Sequence, residues 1–544
     1  MFSKEDNAFY RCWRERSDDH TRTALDRMAE EETADCFSGP PSFGTGGIRL
    51  AEGIGPNRIN EITIGWAAAA LAVYFTETID ETARKKGVPV GYDTRRNSRF
   101  YAEKTALTLN AFGIPTLLFE SPIPVPLLSF VLKREEHPGG VMITASHNPE
   151  NYNGFKVYNQ NGGQCIPEEA HAIQERFLRI DPFEIPRIEK EQAVADGLFR
   201  TTGAAEEAAY LTALTRRRFS DSQLTAAVTP LHGAAYRLLP KALKACGHQI
   251  FTVASQERAE GDFPTVTAPN PEDPAVFEEV RAEGRRRNAD LLLATDGDGD
   301  RCGCGVREGD DYRILNGNES AAILLFYLLE REKYRLPPKA YIVRTAVSGG
   351  LGERIAAAYG VKTYTTPTGF KHIGAMLQNP KNGVFFAGYE ESGGFLYGSH
   401  AADKDGIAAA VLLAEAAEHY RRQGKSLLDV LTEIHKRFGR EYTRTDRFSF
   451  PGKDGATRRE ACLRWFRDRP LRGLCLREEN NTLFFEDGKG IKTALRPSGT
   501  EPELKLYRVI RADSDNEAER KNNIIDHRFL PVILSFLPKT DHSS

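Results

Sequence analysis

No apolar run in this chain is long enough to cross a bilayer. The strongest candidate, Ile62 to Phe75, falls short of the ~20 residues a spanning helix needs, and its alanines suit a packed helix instead. The N-terminus, Met-Phe-Ser-Lys-Glu-Asp-Asn, lacks the apolar core of a signal peptide, and the eight cysteines are scattered rather than spaced as a disulfide framework. A cytoplasmic protein with no membrane partner is therefore expected. Cys302 and Cys304 have no second pair at metal-site spacing, so they read as free thiols. A formal net charge of -3 gives no polyanion-binding surface, which argues against nucleic acid as a partner. There is neither a Gly-x-Ser-x-Gly elbow nor a P-loop, so serine hydrolysis and nucleotide-driven phosphoryl transfer lack their usual machinery.

What is present is length and α/β rhythm. At 544 residues and about 150 residues per domain, three to four domains are expected, and the pattern favours four. Residues 61–86 read as a helix, 88–93 as a strand, 99–112 as a helix and 114–119 as a strand; the same alternation returns at 224–255 and from 341. After about 440 the composition changes, with strand-like runs at 443–450, 473–478 and 482–486, a helix at 456–468 and a final helix at about 516–537. Linkers are expected near 183–205 and 436–445. The fold class is α/β: three α/β domains that look like architectural repeats (1–200, 201–312, 313–438) and a C-terminal α+β domain (439–544).

Four polar loops carry the chemistry. Val-Met-Ile-Thr-Ala-Ser146-His147-Asn-Pro begins as a buried strand and breaks at Asn148-Pro149, so a hydroxyl is presented at a strand end. Ala-Thr-Asp296-Gly-Asp298-Gly-Asp300-Arg301 follows another apolar strand, and its alternate carboxylates, separated by glycines, can converge on one hard cation, with Mg²⁺ the natural choice. An EF-hand register fails, because Arg301 falls where glycine is required and Arg307 where the bidentate glutamate belongs. A cation held by three carboxylates would steady a phosphoryl group moving to or from Ser146, whose phosphate oxygen could complete the shell, with Arg301 adding a donor fork. Gly388-Tyr-Glu390-Glu391-Ser392-Gly-Gly suits recognition of sugar hydroxyls, and Thr368, Gly369 and Lys371 lie just upstream. Leu-Arg496-Pro-Ser498-Gly499-Thr500-Glu-Pro forms an anion cradle, a second phosphate site.

In this order and spacing the loops resemble the α-D-phosphohexomutase superfamily, over nearly the whole chain, and Phe43-Gly-Thr-Gly-Gly-Ile-Arg49 is similar to that family's N-terminal motif with Gly46 in place of alanine. The resemblance implies three α/β domains of like topology and a C-terminal domain around a central cleft, to which each contributes one loop; it implies that Ser146 is the phosphoserine and that Asp296, Asp298 and Asp300 hold Mg²⁺. It further implies that Glu390 and Ser392 grip the sugar, and that Arg496, Ser498, Gly499 and Thr500 bind the non-reacting phosphate. Ser-His-Asn-Pro-x-x-x-Asn-Gly-Phe-Lys also matches and places His147 and Lys156 near the reacting hydroxyl. Lys156 is the candidate general acid/base, because burial beside cations lowers a lysine's pKa. Tyr-Glu-Glu-Ser-Gly-Gly-Phe-Leu, Pro-Thr-Gly-Phe-Lys and Gly55-Pro-Asn-Arg-Ile-Asn60 look like the longer bacterial phosphoglucomutase/phosphomannomutase branch, near the phosphopentomutases; Glu391 and Gly394 count against glucosamine phosphate.

The expected reaction interconverts glucose 1-phosphate and glucose 6-phosphate through phosphoserine, with glucose 1,6-bisphosphate as intermediate and activator; mannose phosphates are further substrates. The alternatives are phosphomannomutase or phosphopentomutase as the main activity, a phosphatase or hexose bisphosphate synthase, or a non-catalytic sugar-phosphate binder, against which the intact Ser146 and three aspartates argue. A monomer or homodimer is expected.

Overall fold

The computed structural model describes residues 3–4, 6–44, 46–215, 221–452, 454–499 and 502–538. Four sheets organise them, of six, five, four and five strands. One apolar cluster reaches the first three, beside a separate core within the first. Val88–Tyr92, Thr116–Phe119 and Gly139–Ile143 lie parallel, with the first strand between the second and third, and Tyr152–Asn159 runs antiparallel beside the third. Thr225–Thr229, Gln249–Thr252, Leu291–Thr295 and Cys302–Glu308 repeat this order. So do Ala340–Thr345, Lys362–Thr366, Val384–Tyr389 and Phe395–Tyr397. Near-continuous apolar runs such as Leu291–Ala294 are what a parallel strand covered on both faces requires. Ser146, Asp296 and Glu390 therefore follow the equivalent third strand of each sheet, at its C-terminal end, where α/β folds place ligands.

One apolar cluster runs from the helix Val125–Glu135 through Gly317–Glu332 to Gly406–Arg421, so the first three units share a core and their loops are fixed relative to one another. The C-terminal sheet has its own core around Phe466, Phe485 and Phe529. It meets the rest through a small apolar patch of Ala346, Val347, Phe484, Ala494 and Tyr507. Polar contacts add to that seam: Glu441 accepts from the Leu351 backbone N–H at 3.1 Å and from Arg354 at 3.0 Å.

Several local expectations change. The helix expected over 61–86 stops at Thr78, because Ile79 is extended and Asp80 caps a separate helix, Glu81–Lys85, accepting from the Ala83 N–H at 3.0 Å. The segment 183–205 is not a bare linker: it holds the helix Lys190–Ala195 and Phe199–Thr202, which pairs in parallel with Thr116–Phe119 as the sheet's outer strand. A limit drawn at 200 cuts that strand, and one at 312 cuts Asp311–Leu315, the edge strand of the second sheet. The strands Ile491–Pro497 and Glu503–Arg511 complete the C-terminal sheet and were not expected, their apolar residues being interleaved with Lys492, Arg496, Lys505 and Arg508. The expected join at 436–445 shrinks to Gly439 and Arg440, between the helix ending at Phe438 and the strand Glu441–Ser449.

Candidate functional site

Ser146 stands just past its strand in the left-handed region, with φ of 54°. Its N–H donates to Thr144 Oγ1 at 2.8 Å, and its Oγ lies 3.1 Å from Asp296 Oδ2 and 3.3 Å from His147 Nδ1. The unusual backbone is over-determined by Arg95, which sequence reasoning missed. That buried guanidinium donates to four backbone carbonyls of the loop, Ser146 at 2.8 Å, Asn148 and Pro149 at 2.6 Å and Tyr152 at 2.9 Å. Asp93 pairs with it at 3.1 Å and also accepts from Thr144 at 2.6 Å. Removing one partner from such a buried pair typically costs ~3–5 kcal/mol, so the loop's shape is strongly enforced.

The acidic loop is pressed against this serine. A Cβ on Gly297 would lie 2.5 Å from the Ser146 carbonyl oxygen, so only glycine fits between Asp296 and Asp298. Asp296, Asp298 and Asp300 are fully buried, with carboxylate oxygens within 4.8 Å of one another. Burial and the neighbouring carboxylates push Asp296 well above the usual range and raise Asp300. For Asp298, burial acts the same way, but Lys156, Lys404 and Arg49 outweigh it and hold the group well below that range. Among the described residues, Asp298 Oδ1 and Asp300 Oδ1 have no hydrogen-bond partner. Buried, mutually repelling carboxylates with oxygens to spare fit a hard divalent cation such as Mg²⁺.

Cations surround the acidic loop. Lys156, on Tyr152–Asn159, places Nζ 2.7 Å from Asp298 Oδ2, so its nearest neighbour is a carboxylate rather than the cationic surroundings expected of it. Lys404 places Nζ 2.7 Å from Asp300 Oδ2. It too was missed; its signal was the charged triplet Asp403-Lys404-Asp405 between Ala402 and Gly406. Tyr210 donates to Asp405 at 2.8 Å and Gln164 to Asp403 at 2.9 Å, which fix that triplet. Arg49, on Gly47–Ala51, donates to Asn148 Oδ1 at 3.0 Å. Arg301 donates to Glu272 at 3.2 Å, while its Nε sits 3.9 Å from Asp296 and Asp300 and, among the described residues, makes no hydrogen bond.

One cleft joins the four loops. Arg49, Ser146, His147, Lys156, Asp300 and Arg301 line it together with Thr368, Gly369, Glu390 and Ser392, and with Arg496, Ser498 and Gly499 from the C-terminal sheet. Gly369 donates its N–H to Glu390 Oε1 at 3.1 Å. Burial raises Glu390 to about 7, against the lowering effect of Lys404. Glu391 accepts from Thr345 at 3.1 Å and Ser348 at 3.2 Å. Lys371 sits half-buried in the helix Phe370–Leu377 rather than on the cleft wall, with burial, then Arg496, lowering its pKa against the opposing pull of Cys165. Thr500 lies outside the described residues, as does Thr45 of the N-terminal motif. Glu272, Arg447 and Lys505 also line the cleft, and no sequence motif marked them.

Residues 40–183, 208–309 and 316–438 match the models of phosphoglucomutase/phosphomannomutase alpha/beta/alpha domains I, II and III. A phosphoglucomutase of Staphylococcus saprophyticus is 31% identical, the match covering 92% of this chain and 96% of that protein. One from Staphylococcus aureus strain N315 is 29% identical over 94% of this chain and 98% of its own length. A solved phosphoglucomutase/phosphomannomutase family protein from Burkholderia thailandensis has the same fold, with a TM-score of 0.69 at 18% identity, over 91% of this chain and 98% of that one. Among the described residues no helix is long and apolar enough to cross a membrane. The chain belongs to the phosphoglucomutase/phosphomannomutase family of the α-D-phosphohexomutase superfamily.

Proposed function

We propose that this protein is a phosphoglucomutase, an isomerase that interconverts glucose 1-phosphate and glucose 6-phosphate, with mannose phosphates as further substrates. The observation that carries the reading is the single cleft in which a buried serine hydroxyl meets three carboxylates at one end and a basic cradle stands at the other. A reacting end whose carboxylates would be neutralised by a cation, and a basic end for the other phosphate, suit a bisphosphate that must turn end for end.

In the proposed cycle the Oγ–P bond of phosphorylated Ser146 breaks as an oxygen of the sugar takes the phosphoryl group. The Lys156 ammonium gives a proton to the departing Ser146 Oγ and recovers one from the attacking hydroxyl, so protons balance. Glucose 1,6-bisphosphate forms, reverses in the cleft, and returns its other phosphate to Ser146. Asp296, Asp298 and Asp300 would hold Mg²⁺, which supplies charge stabilisation to the transferring group. Arg301 and Arg49 orient that group, Glu390 and Ser392 accept and donate to the sugar hydroxyls, and Arg496, Ser498, Gly499 and Thr500 hold the distal phosphate.

The test is turnover of glucose, mannose, glucosamine and ribose 1-phosphates with magnesium and trace glucose 1,6-bisphosphate. Glucose 1-phosphate is expected to give the highest kcat/KM, with mannose 1-phosphate next and no net release of inorganic phosphate. Bisphosphate accumulation or phosphate release in place of isomerisation would replace the mutase reading with a synthase or phosphatase.

Glu390 gives a pH signature. Its pKa is raised from 4.5 to about 7, so it is protonated below that pH and loses acceptor capacity toward sugar hydroxyls. KM is expected to rise as pH falls from 8 to 6, approaching about tenfold per unit below the pKa. Since hexose phosphates titrate in the same range, the comparison is with Glu390→Gln, whose profile should retain only the substrate's own titration. For stability the sign is opposite. The folded state keeps the proton that the unfolded state has lost between about 4.5 and 7, so this group's contribution falls as pH rises across that window.

A further inference from the structure

The C-terminal wall of the cleft carries more positive charge than its loop motif. Arg447 pairs in register with Lys505, and Lys505 in turn with Arg496, so three cations stand side by side across three antiparallel strands. All three line the cleft. Like charges directly opposite one another on a sheet are destabilising, so such a row needs a counter-anion. Glu272 supplies one. It reaches from the loop before the short helix Pro274–Phe277 of the second unit and forms an ion pair with Arg447, and its Oε2 also accepts from Arg301 at 3.2 Å. Glu503 lies 3.8 Å from Lys505 on the same strand.

One carboxylate thus spans the metal-loop arginine and the C-terminal sheet, in the cleft where a phosphate must bind. Among the described residues the buried Arg301 Nε–H makes no hydrogen bond, and two guanidiniums with five donors each share the single oxygen Glu272 Oε2. A phosphate with three oxygens is a better match to these forks.

We infer that Arg447 and Lys505 extend the distal phosphate site, and that Glu272 is its resident anion, displaced by the phosphate monoester of the substrate. The inference rests on the proposed mutase reading and adds to it a competing internal group. When phosphate leaves, Glu272 retakes Arg447, so the cationic row is never left bare. The same competition keeps the site from holding a bisphosphate too tightly to reverse. An internal competitor that occupies Arg447 in about 90% of molecules weakens apparent phosphate affinity about tenfold.

The test is binding rather than turnover. Inorganic phosphate and glucose 6-phosphate are titrated calorimetrically into Ser146→Ala protein without divalent metal, where the three aspartates repel phosphate from the serine end. Adding Arg447→Gln or Lys505→Gln is expected to weaken both ligands about tenfold, Arg447→Lys to weaken them less because charge remains without the fork, and Glu272→Gln to tighten them several-fold. Thermal melts identify any variant that fails to fold, and Arg447→Lys then carries the comparison. Unchanged affinity in Arg447→Gln and Lys505→Gln, or weaker binding in Glu272→Gln, would overturn the inference. Normal isomerase turnover beside unchanged phosphate binding rejects only the extended phosphate site with its displaced Glu272; the expected binding pattern in an enzyme that cannot isomerise hexose phosphates rejects only the mutase reading.

Discussion

Replacing Ser146 with alanine is expected to reduce interconversion of glucose 1-phosphate and glucose 6-phosphate by ~10⁴-fold or more, because a phosphoryl carrier has no substitute when its oxygen is gone. The side chain is buried, with Oγ between Asp296 and His147. Its loss deletes two modest hydrogen bonds and leaves intact the Arg95 contacts, which bind the loop's backbone. The variant should therefore fold, and a thermal melt close to that of the unsubstituted protein is part of the expected result. Labelled phosphate supplied as glucose 1,6-bisphosphate should become acid-stable on the unsubstituted chain at Ser146 and not on the variant. Full activity in the variant would remove the phosphoserine mechanism altogether.

The second large effect is expected at Asp298. Asp298→Asn, or chelation of divalent metal, should lower turnover by ~10³-fold or more, since a metal's stabilisation of transferring charge amounts to several kcal/mol. The two treatments differ in a useful way. Asp298 is also the partner of Lys156, 2.7 Å away and nearly buried, so the asparagine leaves an ammonium without its anion at a typical cost of ~3–5 kcal/mol. Chelation leaves that pair intact. Magnesium at about 100 times its Kd should stabilise the unsubstituted protein by about 2.7 kcal/mol, visible as a higher Tm, and the shift should shrink or vanish in the variant. Undiminished activity after chelation would show that the three aspartates do not serve a metal.

The loops around Ser146, Asp296–Asp300, Glu390 and Arg496–Gly499 were legible because each is a contiguous string whose residue types state their chemistry, and the first three follow strands that the apolar pattern marks. Arg95, Lys404, Glu272, Arg447 and Lys505 were not. Arg95 acts through backbone carbonyls more than fifty residues further along the chain, and any residue type offers a carbonyl. Glu272 meets Arg447 only because two separate sheets face each other. In the C-terminal unit, cations alternating with apolar residues hid the strands Ile491–Pro497 and Glu503–Arg511, since one face of that sheet lines the cleft and the other packs on a helix.

The sequence by itself determined the apolar strands of the first three units, the breaks that end them and the reactive side chains placed at those breaks, because periodicity, turn chemistry and donor type are local properties. Only the tertiary structure decided how these parts meet. A core shared by three units fixes Lys156 on Asp298 and Lys404 on Asp300, and a narrower, more polar seam brings the fourth unit's cationic row to Glu272. Charge pairing across a cleft depends on distances between residues far apart in the chain, and packing alone sets those distances.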